Sequence, residues 1–132
     1  GQGVMSAKLL LYIAVGGALG AVGRYLSTVL IGHWLNSGLP YGTMVVNIVG
    51  SFALGCLLSA LALEWSPSQE VRSFVQVGIL GAFTTFSAFS MDAYNQIIRG
   101  DYITAAVYVV VSVITGIISL IIGVALVRQI LT

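Results

Sequence analysis

From Leu9 to Ile130 the chain is written almost entirely in residues that dissolve in hydrocarbon, as four long runs separated by short connections. A hydrocarbon core about 30 Å thick takes roughly 20 apolar residues in helical form. The runs predict helices over Leu9 to Ile31, Thr43 to Leu63, Val71 to Ile98 and Tyr102 to Ile130. The connections at 36–42, 64–70 and 99–101 are too short for a soluble domain, and Pro40 and Pro67 punctuate the first two. Charged residues make up 7% of the chain, against about 25% in a soluble domain. Such a chain cannot clothe itself in polar surface. The expectation is an all-α integral membrane protein, with residues 1–132 forming a single four-helix transmembrane domain. The opening GQGVMSAK reads as a cloning scar before a native Met5. The first apolar run is too long for a cleavable signal peptide.

The same composition excludes several functions. A net charge of +1 offers nothing to nucleic acid or a polyanion. The single cysteine, Cys56, permits no intrachain disulfide and no multi-cysteine metal site. His33 falls at a membrane interface, and no nucleophile–base pair, phosphate-binding loop or His/Cys metal motif is present. Enzyme chemistry is not expected. Ser66 or Ser68 is placed to cap the third helix, with Glu70 in its first turn. Trp34, Tyr41, Trp65 and Tyr102 fall where interfacial aromatic belts form.

With four spans, Lys8, Arg72 and Arg128 share one side, and Arg99 with His33 lies on the other. That bias is weak for the positive-inside rule and is compatible with insertion both ways round. Four helices enclose little interior, so oligomerisation is expected. Glycine, at 16 positions, adds to this: Gly16, Gly17, Gly20 and Gly23 line helix one, Gly50 and Gly55 helix two, and Gly78 and Gly81 helix three. Small residues let membrane helices approach closely.

Residues 81–90 read GAFTTFSAFS, an unusual filling for a lipid-spanning helix. In hydrocarbon, polar side chains and irregular backbone survive only where protein or a water-filled path surrounds them. The segment therefore points inward. Asn47 brings an amide into the second span, as interhelical glue or as a pathway group. Arg24 in the first span must snorkel, pair or line a cavity, and Asp92 is a candidate partner for it. Tyr108 and Ser112 share a face of the fourth span, with Thr115 nearby. Together with Ser87 and Ser90 these groups are rich in donors and poor in carboxylates. Proton-coupled pumps rely on intramembrane acids or histidines, whereas a donor-rich path suits an anion. Phe86 and Phe89 suit it too, because a ring edge carries partial positive charge.

Three segments, GGALGAVGRY (16–25), GTMVVNIVGSFALG (42–55) and GILGAFTTFSAFS (78–90), closely resemble the signatures of the Fluc (CrcB-like) fluoride channel family. The resemblance covers all four spans. It implies a passive, fluoride-selective channel in a prokaryotic plasma (inner) membrane, exporting cytoplasmic fluoride. It implies an antiparallel, dual-topology homodimer of identical subunits, with two pores along the subunit interface and a broken third helix. By motif, Asn47 resembles the pore asparagine, and Phe86 and Phe89 the pore-facing aromatics. Ser87, Ser90, Tyr108 and Ser112 resemble the hydroxyl track, and Arg24 the arginine near the aqueous vestibule. Backbone carbonyls of Gly81 and Thr84, from both subunits, would hold one structural sodium ion.

Two positions depart from the family pattern: Ala88 stands where threonine is common, and Asp92 where glutamate is common. The physical logic is coherent. Fluoride enters acidified cells as neutral HF and dissociates inside, so a passive route out suffices. Donors must replace its hydration water, and no single site can hold it too tightly. One alternative, a small proton-coupled multidrug-type transporter of four helices, needs an acid in helix one. This chain has Arg24 there and no acid. A non-transporting assembly subunit is the other alternative.

Overall fold

The computed structural model describes residues 6–35 and 39–132. Residues 1–5, which are the expected scar at 1–4 and Met5, and residues 36–38 of the first connection lie outside the described residues. The elements are α1 (Ala7–Trp34), α2 (Tyr41–Leu63), α3 (Gln69–Ser73), a π-helical stretch (Phe74–Leu80), α4 (Gly81–Phe83), α5 (Phe86–Ile98) and α6 (Tyr102–Leu131). Four helical stretches are long and apolar enough to cross a membrane, the third being Gln69–Ile98 as a whole. Each runs a residue or more past the predicted apolar core on at least one side, because capping residues and interfacial aromatics extend a helix beyond the hydrocarbon. Ser6 caps α1 by accepting from the Leu9 N–H at 3.0 Å. Ser68, rather than Ser66, caps α3 by accepting from the Val71 N–H at 3.2 Å, with Glu70 in the first turn. Between α5 and α6 the chain reverses at Gly100, whose φ of 83° lies in the left-handed region that glycine enters at little cost.

The third span changes partner half-way. Its first half, through the π-helical stretch and α4, packs on α1. Its second half, α5, packs on α6, which is itself the main partner of α2. Glycine makes both seams possible. A Cβ on Gly16 would sit 2.5 Å from the Phe74 carbonyl oxygen, and one on Gly78 would sit 2.9 Å from the Ile13 carbonyl oxygen. On the other seam a Cβ on Gly55 would collide with the Leu120 carbonyl. Ser119 tightens that seam by donating to the Ile48 carbonyl at 3.1 Å. The glycine-rich faces thus serve packing within one subunit, and their density carries no argument for a second copy. Gly17 has nothing within 4 Å of where its Cβ would be.

Large apolar side chains cover the outside. Leu11, Tyr25, Ile103 and Ile130 are all exposed, as a chain facing lipid or a second apolar surface requires. Trp34 and Tyr102, at the ends of their spans, are exposed as well.

Candidate functional site

The chemistry of the third span begins with one misplaced amide. In a continuous helix the Thr85 N–H would donate to the Gly81 carbonyl, four residues back. Instead it donates to Asn47 Oδ1 on α2 at 2.7 Å. Asn47 Nδ2 in turn donates to the Thr85 carbonyl at 3.0 Å. One side chain therefore satisfies both backbone groups of the residue at which the helix stops. Thr84 and Thr85 are extended, with ψ of 158° and 125°. Thr84 Oγ1 donates to the Leu80 carbonyl at 3.0 Å, closing off the helix behind the break. Ahead of it, Thr85 Oγ1 accepts from the Ala88 N–H at 3.1 Å and starts α5 as its cap. The TT pair of the motif is thus a stop and a start, and Asn47 pins it.

Arg24 braces the same break from α1. Its Nε donates to the Ala82 carbonyl at 3.1 Å, at the C-terminal end of the α4 turn, where a cation is favoured. It does not pair with Asp92. That carboxylate accepts from Tyr108 Oη at 3.0 Å, from the adjacent face of α6. The ion pair found among the described residues is Arg99 with Asp101, at 3.5 Å in the last connection.

Beside the break lies a cavity of about 350 Å³. Asn47, Gly50 and Ser51 of α2 line one wall, Ser112 and Val113 of α6 another. The third span supplies Gln76, Gly81, Thr84, Thr85, Phe86 and Phe89. The two phenylalanine rings lie 5.7 Å apart and tilted by 44°, and Phe89 continues to the Tyr108 ring at 5.3 Å. Phe86 is 73% exposed. Ser112 Oγ is shielded yet has no hydrogen-bond partner among the described residues. The cavity is mid-span, its wall carrying hydroxyl and amide side chains, the two phenylalanines and the aliphatic Leu54, Leu80 and Val113, and Asp92 is not on it.

Of the residues singled out from sequence, the fold brings Asn47, Phe86, Phe89, Ser112, Gly81 and Thr84 to this cavity. Ser87 and Ser90 lie off it on an exposed face of α5, Ser87 with its Oγ 3.4 Å from Thr85 Oγ1. Tyr108 is buried and lines a neighbouring cavity with Gln96 and Met44. Arg24 stands behind α4 rather than on the cavity wall. Ser51, Thr85 and Gln76 line the cavity and were missed. Ser51 was within reach, being four residues from Asn47 on the same helix face. Gln76 was not, because it sits in the π-helical stretch, where a 3.6-residue period misplaces every side chain.

Residues 11–124 match the model of a family described as CrcB-like protein, Camphor Resistance (CrcB). The chain belongs to the CrcB-like family. Among its relatives, a protein named fluoride-specific ion channel FluC from Rhodospirillum centenum is 48% identical over 121 residues, covering 92% of this chain and 96% of the relative. Proteins of the same name from Nitrobacter winogradskyi and Chelativorans sp. are 42% and 44% identical, covering 96% and 92% of this chain and 100% and 98% of theirs. Family members of that name are channels rather than enzymes. The broken span with its aromatic pair lies wholly inside the segment that defines the CrcB-like match.

Proposed function

We propose that this chain is a passive, fluoride-selective channel that lets cytoplasmic fluoride leave down its electrochemical gradient across a prokaryotic plasma membrane. The relatives' name supplies the ion. The observation that carries the reading is the cavity at the break, with Ser112 Oγ unpartnered beside an exposed Phe86. A small anion leaving water needs donors, and hydroxyls, amides and ring edges supply them without a carboxylate to repel it. Asn47, Phe86, Phe89 and Ser112 are assigned to the pore, and Ser87, Ser90 and Tyr108 to a hydroxyl track that continues it. Arg24 is assigned to the vestibule as well as to bracing α4.

One subunit walls this path on one side only. The assembly proposed is an antiparallel, dual-topology homodimer with two pores along the subunit interface. The weak charge bias permits insertion both ways round. A structural sodium ion between the subunits fits the backbone here. The Gly81 carbonyl has lost its helical donor to Asn47, and Thr84 turns extended beside it. Carbonyl oxygens suit a hard cation, which when bound would add positive potential near both pores.

Efflux from liposomes loaded with fluoride tests the function. Fluoride should leave without a proton gradient, and chloride far more slowly. Equal rates for the two anions, or strict dependence on a proton gradient, would overturn it in favour of the proton-coupled alternative. No efflux of either ion would leave the assembly-subunit alternative.

A further inference from the structure

Gln96 is among the most deeply buried polar residues in the subunit, 1% exposed, and neither Nε2 nor Oε1 has a hydrogen-bond partner among the described residues. An amide in that state is expensive unless something polar reaches it. It stands between two cavities. One, of about 140 Å³, is lined by Asp92, Asn95 and Gln96 of α5 and by Arg99 just past its end, with Leu39 and Pro40. The other, of about 370 Å³, has Tyr108 and the apolar side chains of α2 and α6 for walls. The smaller has room for water. It is also joined to the break. Phe89, on the wall of the central cavity, stacks on Tyr108, and Tyr108 donates to Asp92 on the wall of the smaller one. At the far end Arg99 is exposed to water.

We propose that Gln96 is an anion station at the mouth of the conduction path. Its amide N–H groups take a small, still hydrated anion as it passes between the aqueous side at Arg99 and the Phe89–Tyr108 ring pair. The inference rests on the channel function proposed above. Arg99 draws an anion inward, and Asp92 on the same wall keeps it from resting there, so the stop is weak, as conduction requires. The charged or titratable groups around this point are Asp92 on α5, Arg99 just past its end with its ion-pair partner Asp101, Tyr108 on α6 and Tyr41 at the start of α2.

The test replaces the amide by a group whose charge can be switched. Fluoride efflux is measured from liposomes carrying the wild type, Gln96→Glu or Gln96→Met, between about pH 8 and about pH 5, with the leak of protein-free vesicles subtracted. An ionised carboxylate on the path repels the anion, and protonation removes the repulsion. Efflux through Gln96→Glu, taken as a ratio to the wild type, should therefore be down about tenfold at the alkaline end and recover toward the acid end. Gln96→Met keeps length and removes the donors; it should give normal dimer yield with efflux lowered at every pH. A ratio that stays flat with pH, together with wild-type efflux through Gln96→Met, would overturn the station while leaving the channel standing. So would a loss of dimer yield in Gln96→Met with efflux per dimer unchanged, because the amide would then serve assembly. Absence of wild-type efflux would overturn both.

Discussion

Asn47 does two jobs with one amide. Its donor and acceptor both go to Thr85, and it also fronts the cavity. Asn47→Asp keeps the acceptor for the Thr85 N–H but sets an oxygen against the Thr85 carbonyl. We expect a loss of about 1–3 kcal/mol from the orphaned carbonyl, read as a lower melting temperature of the purified protein, together with sharply reduced fluoride efflux. An unchanged melting temperature would detach Asn47 from the break. Phe86 and Phe89 call for a different substitution. Isoleucine keeps apolar volume and removes the ring edge, a packing change that costs less than about 1.5 kcal/mol where neighbours adjust. Phe86 has the fewer neighbours to lose, being 73% exposed. Size-exclusion chromatography should show Phe86→Ile and Phe89→Ile eluting as the wild type does, and efflux should fall strongly in both. Wild-type efflux in the two variants would remove the rings from the pore. At this scale the sequence was a good guide to which residues are unusual and a poor guide to what each one touches. An asparagine among aliphatic residues is visible at once. That its partner is a backbone unit 38 residues away depends on how α2 crosses the third span, and no local pattern encodes that.

The third span holds most of what sequence could not supply. Hydropathy marks Val71 to Ile98 as one apolar run, and the TT pair marks where it is interrupted. The seven π-helical residues from Phe74 to Leu80 leave no such mark. Their wider turn comes from packing: α1 presses its glycine face against Phe74 and Gly78 so closely that no side chain fits between. A matched pair of substitutions separates close approach from mere glycine content. Gly16→Ala puts a methyl group against the Phe74 carbonyl, whereas the methyl of Gly17→Ala meets nothing within 4 Å. Overpacking of this kind typically costs about 1–3 kcal/mol. Gly16→Ala should lower the yield of folded protein and its melting temperature, and Gly17→Ala should leave both near wild type. Equal effects of the two would mean that the α1 seam is looser than its geometry.

For the molecule as a whole, charge does little and surface does much. The few loop and terminal cations, Lys8, Arg72 and Arg128 against Arg99, give only a weak bias between the two sides, and large aliphatic side chains face outward. Orientation is therefore easy to bias. Two or three lysines added to the 99–101 connection should fix one topology by the positive-inside rule. If the working unit is an antiparallel pair, efflux should collapse in that variant and return when an oppositely fixed copy is co-expressed. Full efflux from a single fixed orientation would exclude dual topology.

The change of partner at Thr84–Thr85 also bears on how the protein is made. Spans emerge from the ribosome in order. The first half of the third span meets α1, its main partner, already in place. The second half, α5, finds its main partner only when α6 arrives. Until then α5 has α2 as its lesser support, and the Asn47–Thr85 clamp is the side-chain hydrogen-bonded tie that α2 makes to the break among the described residues. The last span to be synthesised thus seats half of the one before it. A nascent chain that stalls before residue 102 would carry an α5 without its main partner, its Asp92 lacking the Tyr108 hydroxyl that donates to it in the folded subunit.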